Sequence, residues 1–157
     1  MIPALIDLGP PTPWPVLPPG IHDTDFAEIE AVFATTPHRR KLFNGLTRAA
    51  AALAQVGCTV LYVDGSFVTG KDHPGDFDAC WDHRGMDLTR LDPVLLTFAN
   101  KRAAQKKKYF GEMFWAFGLG NSGGTSFLEL FQNDKDSGRP KGILRVSLKP
   151  SFAGATP

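Results

Sequence analysis

Apolar positions along this chain follow different rhythms in different stretches, and each rhythm predicts a different element. Phe26, Ile29, Val32 and Phe33 recur at helical spacing. They predict a first helix ending near Ala34, capped by Asp23 or Thr24, with Glu28 and Glu30 in its early turns. Leu42, Leu46, Ala49, Ala50 and Leu53 form the stripe of a second, longer helix. Thr36-Pro37 opens it, with proline at the first helical position, and Gly57 stops it just after Val56. Short, nearly continuous apolar runs at 59–63 and 77–81 then read as buried strands.

Residues 88–106 look helical, with an interruption at Pro93. The runs 110–116, 127–132 and 143–148 read as further strands. Residues 118–125 are a glycine-rich connection. Residues 134–142 are polar and are expected to turn the last two strands into a hairpin. The expected fold is therefore one α/β (α+β) domain over 21–150, with a mixed sheet of about five strands flanked by helices. A frayed tail is expected at 151–157.

Residues 1–20 have no helical rhythm, and seven of them are proline: Pro3, Pro10, Pro11, Pro13, Pro15, Pro18 and Pro19. An extended segment of polyproline character follows. Its Ile2, Leu5, Ile6, Leu8, Trp14, Val16 and Leu17 are too many apolar residues for a free tail. The segment is expected to pack along the domain or on a protein partner.

The 157 residues suit one core, and 43% hydrophobic with 21% charged residues is ordinary for a globular chain. No apolar run approaches the roughly 18 residues that a membrane span needs. No basic stretch followed by an apolar one marks a secretory leader, so a cytoplasmic location is expected. Cys58 and Cys80 sit on or beside buried strands and read as reduced core residues rather than a disulfide. A net charge of +1 excludes neither a polyanionic partner nor its absence, so the distribution of charge matters more. Lys101-Arg102 and Lys106-Lys107-Lys108 form the main basic cluster, and Arg39-Arg40-Lys41 a smaller one. Each reads either as a surface for RNA or acidic protein or as a solvated helix end. Phe114, Trp115 and Phe117 read as core.

The candidate chemistry lies between the two predicted central strands. The first ends in Asp64-Gly65-Ser66, and Asp76-Phe77-Asp78 begins ten residues after Ser66. Gly65 to Lys71 matches the opening of a phosphate-binding P-loop, but Asp72 stands where the hydroxyl should be. His73-Pro74-Gly75 also prevents the helix that such a loop requires. A different reading accounts for more. Side chains two apart on a strand share a face, about 6.5–7 Å apart, so Asp76 and Asp78 project together while Phe77 enters the core. Two bare carboxylates at that distance repel by about 2–3 kcal/mol at an effective dielectric near 20. A divalent cation reverses the sign, and hard oxygen ligands beside phosphate suit Mg2+ or Mn2+. The Gly65-Ser66 backbone can approach a phosphate, and Lys71 either contacts it or is a solvated loop charge. Asp64 is placed to hold the loop, His73 reads as an ordinary loop histidine, and Asp82 as a strand-end cap.

Gly65-Ser66 followed by Asp76-Phe77-Asp78 resembles the nucleotidyltransferase superfamily that includes DNA polymerase β and small stand-alone bacterial enzymes. The likeness to a little-studied branch extends over residues 17–22, 64–69, Lys71, 74–78, Phe131-Gln132 and Lys141 to Ile143. The chain departs from the commoner pattern in having Asp64 before Gly65, and in a spacer one residue short. The resemblance implies that Gly65 and Ser66 bind the triphosphate of an NTP, with Asp76, Asp78 and a third carboxylate as metal ligands. Glu112 is favoured for the third, with Glu129 second. It further implies transfer of a nucleotide to a hydroxyl of a protein or RNA. By analogy, the setting is a toxin–antitoxin or phage-defence module. The alternative is an inactive member that binds a nucleotide or partner, in the manner of an antitoxin.

Overall fold

A computed structural model describes residues 1–148. The chain forms β1 (Gly20–Thr24), α1 (Phe26–Phe33), α2 (Pro37–Gln55), β2 (Val60–Asp64), β3 (Phe77–Trp81), α3 (Ala99–Tyr109), β4 (Gly111–Trp115), α4 (Phe127–Leu130) and β5 (Gly142–Ser147). The strands make one mixed sheet in the order β1-β5-β2-β3-β4. β2 runs antiparallel to both β3 and β5, while β1–β5 and β3–β4 are parallel pairs. The α+β class and the five-stranded mixed sheet are those expected from the apolar pattern.

Period-two alternation divides each central strand between two layers. Leu61, Val63, Ala79, Trp81, Met113, Leu144 and Val146 join Ile29 and Phe33 of α1 and Leu42, Leu46 and Leu53 of α2 in the main core. Tyr62, Cys80, Phe114 and Ile143 face the other way and meet Phe127, Leu128 and Phe131. That second face is only partly roofed, which leaves room for a site.

Several local expectations hold and others are revised. Thr36 caps α2, its side chain accepting from the Arg39 amide at 3.1 Å, and Pro37 opens the helix. α1 is capped by Asp25, which accepts from the Glu28 amide at 2.9 Å; Asp23 and Thr24 instead belong to β1. β1 was hidden because its exposed polar residues are held only by parallel pairing to β5. The helix expected at 88–106 is broken further than Pro93 alone requires. Asp87 and Asp92 each cap a short 3-10 turn, and the opening of α3 has left-handed backbone at Asn100, Lys101 and Arg102. The strand expected at 127–132 is the helix α4, because Ser126 accepts from the Glu129 amide at 3.1 Å. Phe127 and Phe131 then both reach Phe114, at ring-centroid distances of 4.7 and 5.0 Å. Apolar residues at i and i+4 fit a helix as readily as a strand. With that strand gone there is no terminal hairpin, and β5 pairs instead with β1 and β2. The tail expected to fray at 151–157 lies outside the described residues.

The proline-rich segment packs on the domain. Ile2, Val16 and Leu17 are buried, and a two-residue bridge joins Ile6 to Val16. Thr12 donates to Asp134 at 2.6 Å. Cys58 and Cys80 are buried free thiols. Phe117, expected in the core, is exposed, with the Arg84 guanidinium 4.4 Å above its ring. No helix among the described residues is long and apolar enough to cross a membrane.

The close crossing of α2 and α3 depends on one glycine. A Cβ at Gly45 would lie 1.8 Å from the Tyr109 carbonyl oxygen. Gly45→Ala is therefore expected to cost about 1–3 kcal/mol by forced displacement, although alanine favours a helix over glycine by about 1 kcal/mol. Urea unfolding checks the sign, and a variant as stable as the parent would show that α3 yields freely.

Candidate functional site

Strand register assembles the acidic group. Asp78 on β3 lies opposite Asp64 on β2 and opposite Glu112 on β4. Residues directly opposite one another share a face, so three carboxylates stand abreast on the thinly roofed side. Asp76, just ahead of β3, adds a fourth. One oxygen from each of Asp76, Asp78 and Glu112 lies within 4.8 Å of the others. Of the two candidates for the third carboxylate, Glu112 joins the pair. Glu129 is exposed on α4, where its side chain accepts from the Ser126 hydroxyl at 3.1 Å.

The electrostatics show an excess of negative charge. Burial first, and then Asp76, Asp64 and Glu112, push the Asp78 carboxyl up to about 8. Burial and the charge of Glu112 also raise Asp76. Burial raises Asp64 although Lys141 is paired with it. Two lysines offset part of the charge. The Lys141 ammonium donates to Asp64 and, at 2.9 Å, to the Phe131 carbonyl. Lys106 pairs with Glu112 at 3.0 Å.

The Gly65-Ser66 turn sits against this group. Gly65 has φ of 85°, and a Cβ there would lie 2.6 Å from the Asp78 amide nitrogen. Glycine is needed both for that backbone conformation and for the approach of the two strands. Ser66 opens a 3-10 turn (Ser66–Val68), and its hydroxyl donates to the Asp76 carbonyl at 3.4 Å. Thr69 donates to the Ser66 carbonyl at 2.7 Å and closes the turn. The Lys71 ammonium stands at the cleft, 4.7 Å above the Trp14 ring. His73 is outside the carboxylate group and stacks on His38 with ring centroids 3.7 Å apart. Asp82 binds the following Arg84 through its amide at 3.0 Å and its guanidinium.

A cavity of about 470 Å³ joins these parts, within the usual range for a small-molecule site. Its walls include Trp14, Gly65, Ser66, Lys71, Asp76, Asp78 and Lys141, closed on one side by Phe131 and residues 133–136. The proline-rich segment and the loop after α4 thus help form the wall. A second hollow of about 460 Å³ lies between Phe26, α2 and Leu148, but apolar groups dominate it and no ionisable side chain lines it.

Three contributors were not assigned from the sequence. Arg39, which the sequence places in a cluster that reads as a partner surface or a solvated helix end, is buried. Its guanidinium donates to the carbonyls of Phe33, Phe67, Thr69 and Lys71 at 3.2, 2.7, 2.9 and 2.5 Å. It therefore shapes the loop that carries Ser66 and Lys71. Its position three residues after the Thr36 cap, facing the core with Leu42 and Leu46, was the available signal. Lys141 and Trp14 join the site only through tertiary packing. Arg102 is likewise no solvated charge: it lies 3.8 Å above the Phe114 ring and donates to the Met113 carbonyl at 3.1 Å.

Residues 12–147 match a family of unknown function (DUF6932), and the chain belongs to that family. The match spans every strand and helix described above. No curated protein and no solved structure matches the chain.

Two outcomes are expected from this geometry. Arg39→Ala leaves buried carbonyls without a donor and should cost at least about 2 kcal/mol. Arg39→Lys should recover only part, since an ammonium cannot span the same carbonyls. Chemical denaturation measures both, and a neutral Arg39→Ala would refute the clamp. The second concerns pH. The folded metal-free protein holds the Asp78 proton up to about 8, whereas the unfolded chain releases it near 3.8. This contribution is full below about pH 4 and is lost as pH rises through about 8. Melting in a chelator from pH 5 to 8 should fall more steeply for the parent than for Asp78→Asn, and equal slopes would contradict the assignment.

Proposed function

We propose that this chain is a metal-dependent nucleotidyltransferase, which moves a nucleotide from a nucleoside triphosphate to a hydroxyl of a second macromolecule. One observation carries the reading. Asp76, Asp78 and Glu112 converge within 4.8 Å beside a glycine-serine turn, and Asp76 and Asp78 line a cavity of about 470 Å³. The donor set fits a hard divalent cation, because every candidate ligand is a carboxylate oxygen and negative charge is in excess even with Lys106 and Lys141 in place. Asp76, Asp78 and Glu112 would hold Mg2+ or Mn2+, which when bound lowers the pKa of the attacking hydroxyl and neutralises charge on the phosphates.

The remaining work falls to the chain itself. The backbone at Gly65 and Ser66 and the Ser66 hydroxyl receive the triphosphate, and Lys71 approaches it from the Trp14 side. Arg39 keeps the loop in the shape that presents them. The acceptor oxygen bonds to the α-phosphorus as the bond to the bridging oxygen breaks. Pyrophosphate leaves with the electron pair, and a carboxylate of the group takes the hydroxyl proton. Lys141 holds Asp64 in an ion pair, so Asp64 supports the row and does not join the ligand set.

Melting temperature is the test, measured with each nucleoside triphosphate, with and without Mg2+, on the parent and on Asp78→Asn. Ligand at about ten times its dissociation constant should add about 1.4 kcal/mol, or a few degrees for a chain of this size. The expected result is a shift that needs both nucleotide and Mg2+ and is absent in the variant. No shift with any nucleotide would overturn the proposal in favour of a partner-binding module without transfer activity.

A further inference from the structure

A third, smaller hollow abuts the one that holds Asp76 and Asp78. It measures about 150 Å³, is lined by His38, Lys41, Lys106 and Phe110, and shares Gly75 and Asp76 with the larger one. Asp76 therefore stands where two cavities meet, and the smaller one has cationic walls. Beyond it the surface continues basic. Apart from the buried Arg39 and the ring-packed Arg102, α2 carries Arg40, Lys41 and Arg48 and α3 carries Lys101, Lys106, Lys107 and Lys108, and neither helix carries an Asp or Glu. Lys41 and Arg48 are seven residues apart on α2, two turns and about 10 Å along one face. Both stand over the Phe110 ring, at 4.7 and 5.5 Å. Lys107 is exposed on the adjoining end of α3. Lys106 and Lys108 are paired, with Glu112 and Asp92. Among the described residues, Lys41, Arg48 and Lys107 lie in no ion pair with a carboxylate.

We propose that this α2–α3 face binds a single-stranded nucleic acid and leads its end through the smaller hollow to the carboxylates. The placement of that end rests on the nucleotidyltransferase reading, whereas binding to the face does not. Spaced cations two turns apart suit a chain of phosphates. Aromatic rings line the hollow among the cations, Phe110 beneath Lys41 and Arg48, and His38 stacked on His73, and rings interleaved with cations are what single strands bind. The hollow is too small for a duplex. An acidic peptide would use the cations and leave the rings unused. A membrane surface would want apolar residues beside the cations, yet none of the exposed large apolar side chains lies on α2 or the last turns of α3.

Fluorescence anisotropy on the full chain tests this without nucleoside triphosphate or divalent ion. The probes are a labelled 12-nucleotide RNA of mixed sequence and the DNA of the same sequence, with polyglutamate as competitor. The parent is expected to bind at least one strand, with affinity falling as salt rises. Each phosphate contact on a single strand contributes about 0.7 to the slope of log affinity against log salt. Lys41→Ala/Lys107→Ala should thus lower the slope by about 1.4. Lys107→Glu, at an exposed position, should weaken binding with an unchanged melting temperature. Tighter binding of either strand supports the proposal and names the sugar. No binding to either strand at low salt, binding unchanged in both variants, or equal competition by polyglutamate would overturn it. Strand binding together with no nucleotide-dependent melting shift would remove the transfer reading and leave the nucleic-acid face standing.

Discussion

Like charges held abreast on neighbouring strands are the constraint on which the arrangement depends. β-pairing sets Asp64, Asp78 and Glu112 opposite one another on β2, β3 and β4, and Asp76 joins them from the strand's entrance. Backbone hydrogen bonds and the apolar layer beneath, with Val63, Phe77, Ala79 and Met113 buried, hold a register that the carboxylates oppose. Lys141 and Lys106 relieve part of the repulsion. Burial, and after it the remaining repulsion, raises the proton affinity of Asp78. Unspent negative charge in a partly covered cleft is what supports the proposal of a metal-assisted reaction.

The loop between β2 and β3 needs support of a different kind. Its carbonyls converge on the Arg39 guanidinium, a buried cation fixed by peptide oxygens and not by a carboxylate. Its planar, forked donors can serve several acceptors at once. Gly65 lets β2 and the Asp78 backbone approach where any side chain would collide. The proline-rich segment contributes Trp14 beneath Lys71 and fastens to the loop after α4 through Thr12 and Asp134. The cavity wall is therefore built from parts of the chain more than a hundred residues apart.

Much of this was legible before any coordinates. The apolar stripe of α2, its Thr36-Pro37 start and the two central strands follow from local periodicity and capping chemistry, which neighbouring residues set. Asp76 and Asp78 share a cleft because they are two apart at a strand's start, and Glu112 was preferred to Glu129 from chain order. The failures share a cause. Phe127 to Phe131 fits both a strand and a helical turn, and contact with Phe114 selects the helix. β1 is polar and short, and only its parallel partner makes it a strand. Arg39 and Arg102 looked like surface charges because sequence reports charge but not burial.

The sequence by itself determined the secondary elements with strong period or caps, the α+β class, and the pair of aspartates behind a glycine-serine turn, since each depends on residues close along the chain. Tertiary structure decided which third carboxylate joins them, which lysines offset them, and that the fourth strand pairs in parallel with the third. It also decided that an arginine holds the loop and that a smaller hollow with cationic walls opens at Asp76. Those features depend on strand register and helix crossing, which bring together residues that no local pattern connects.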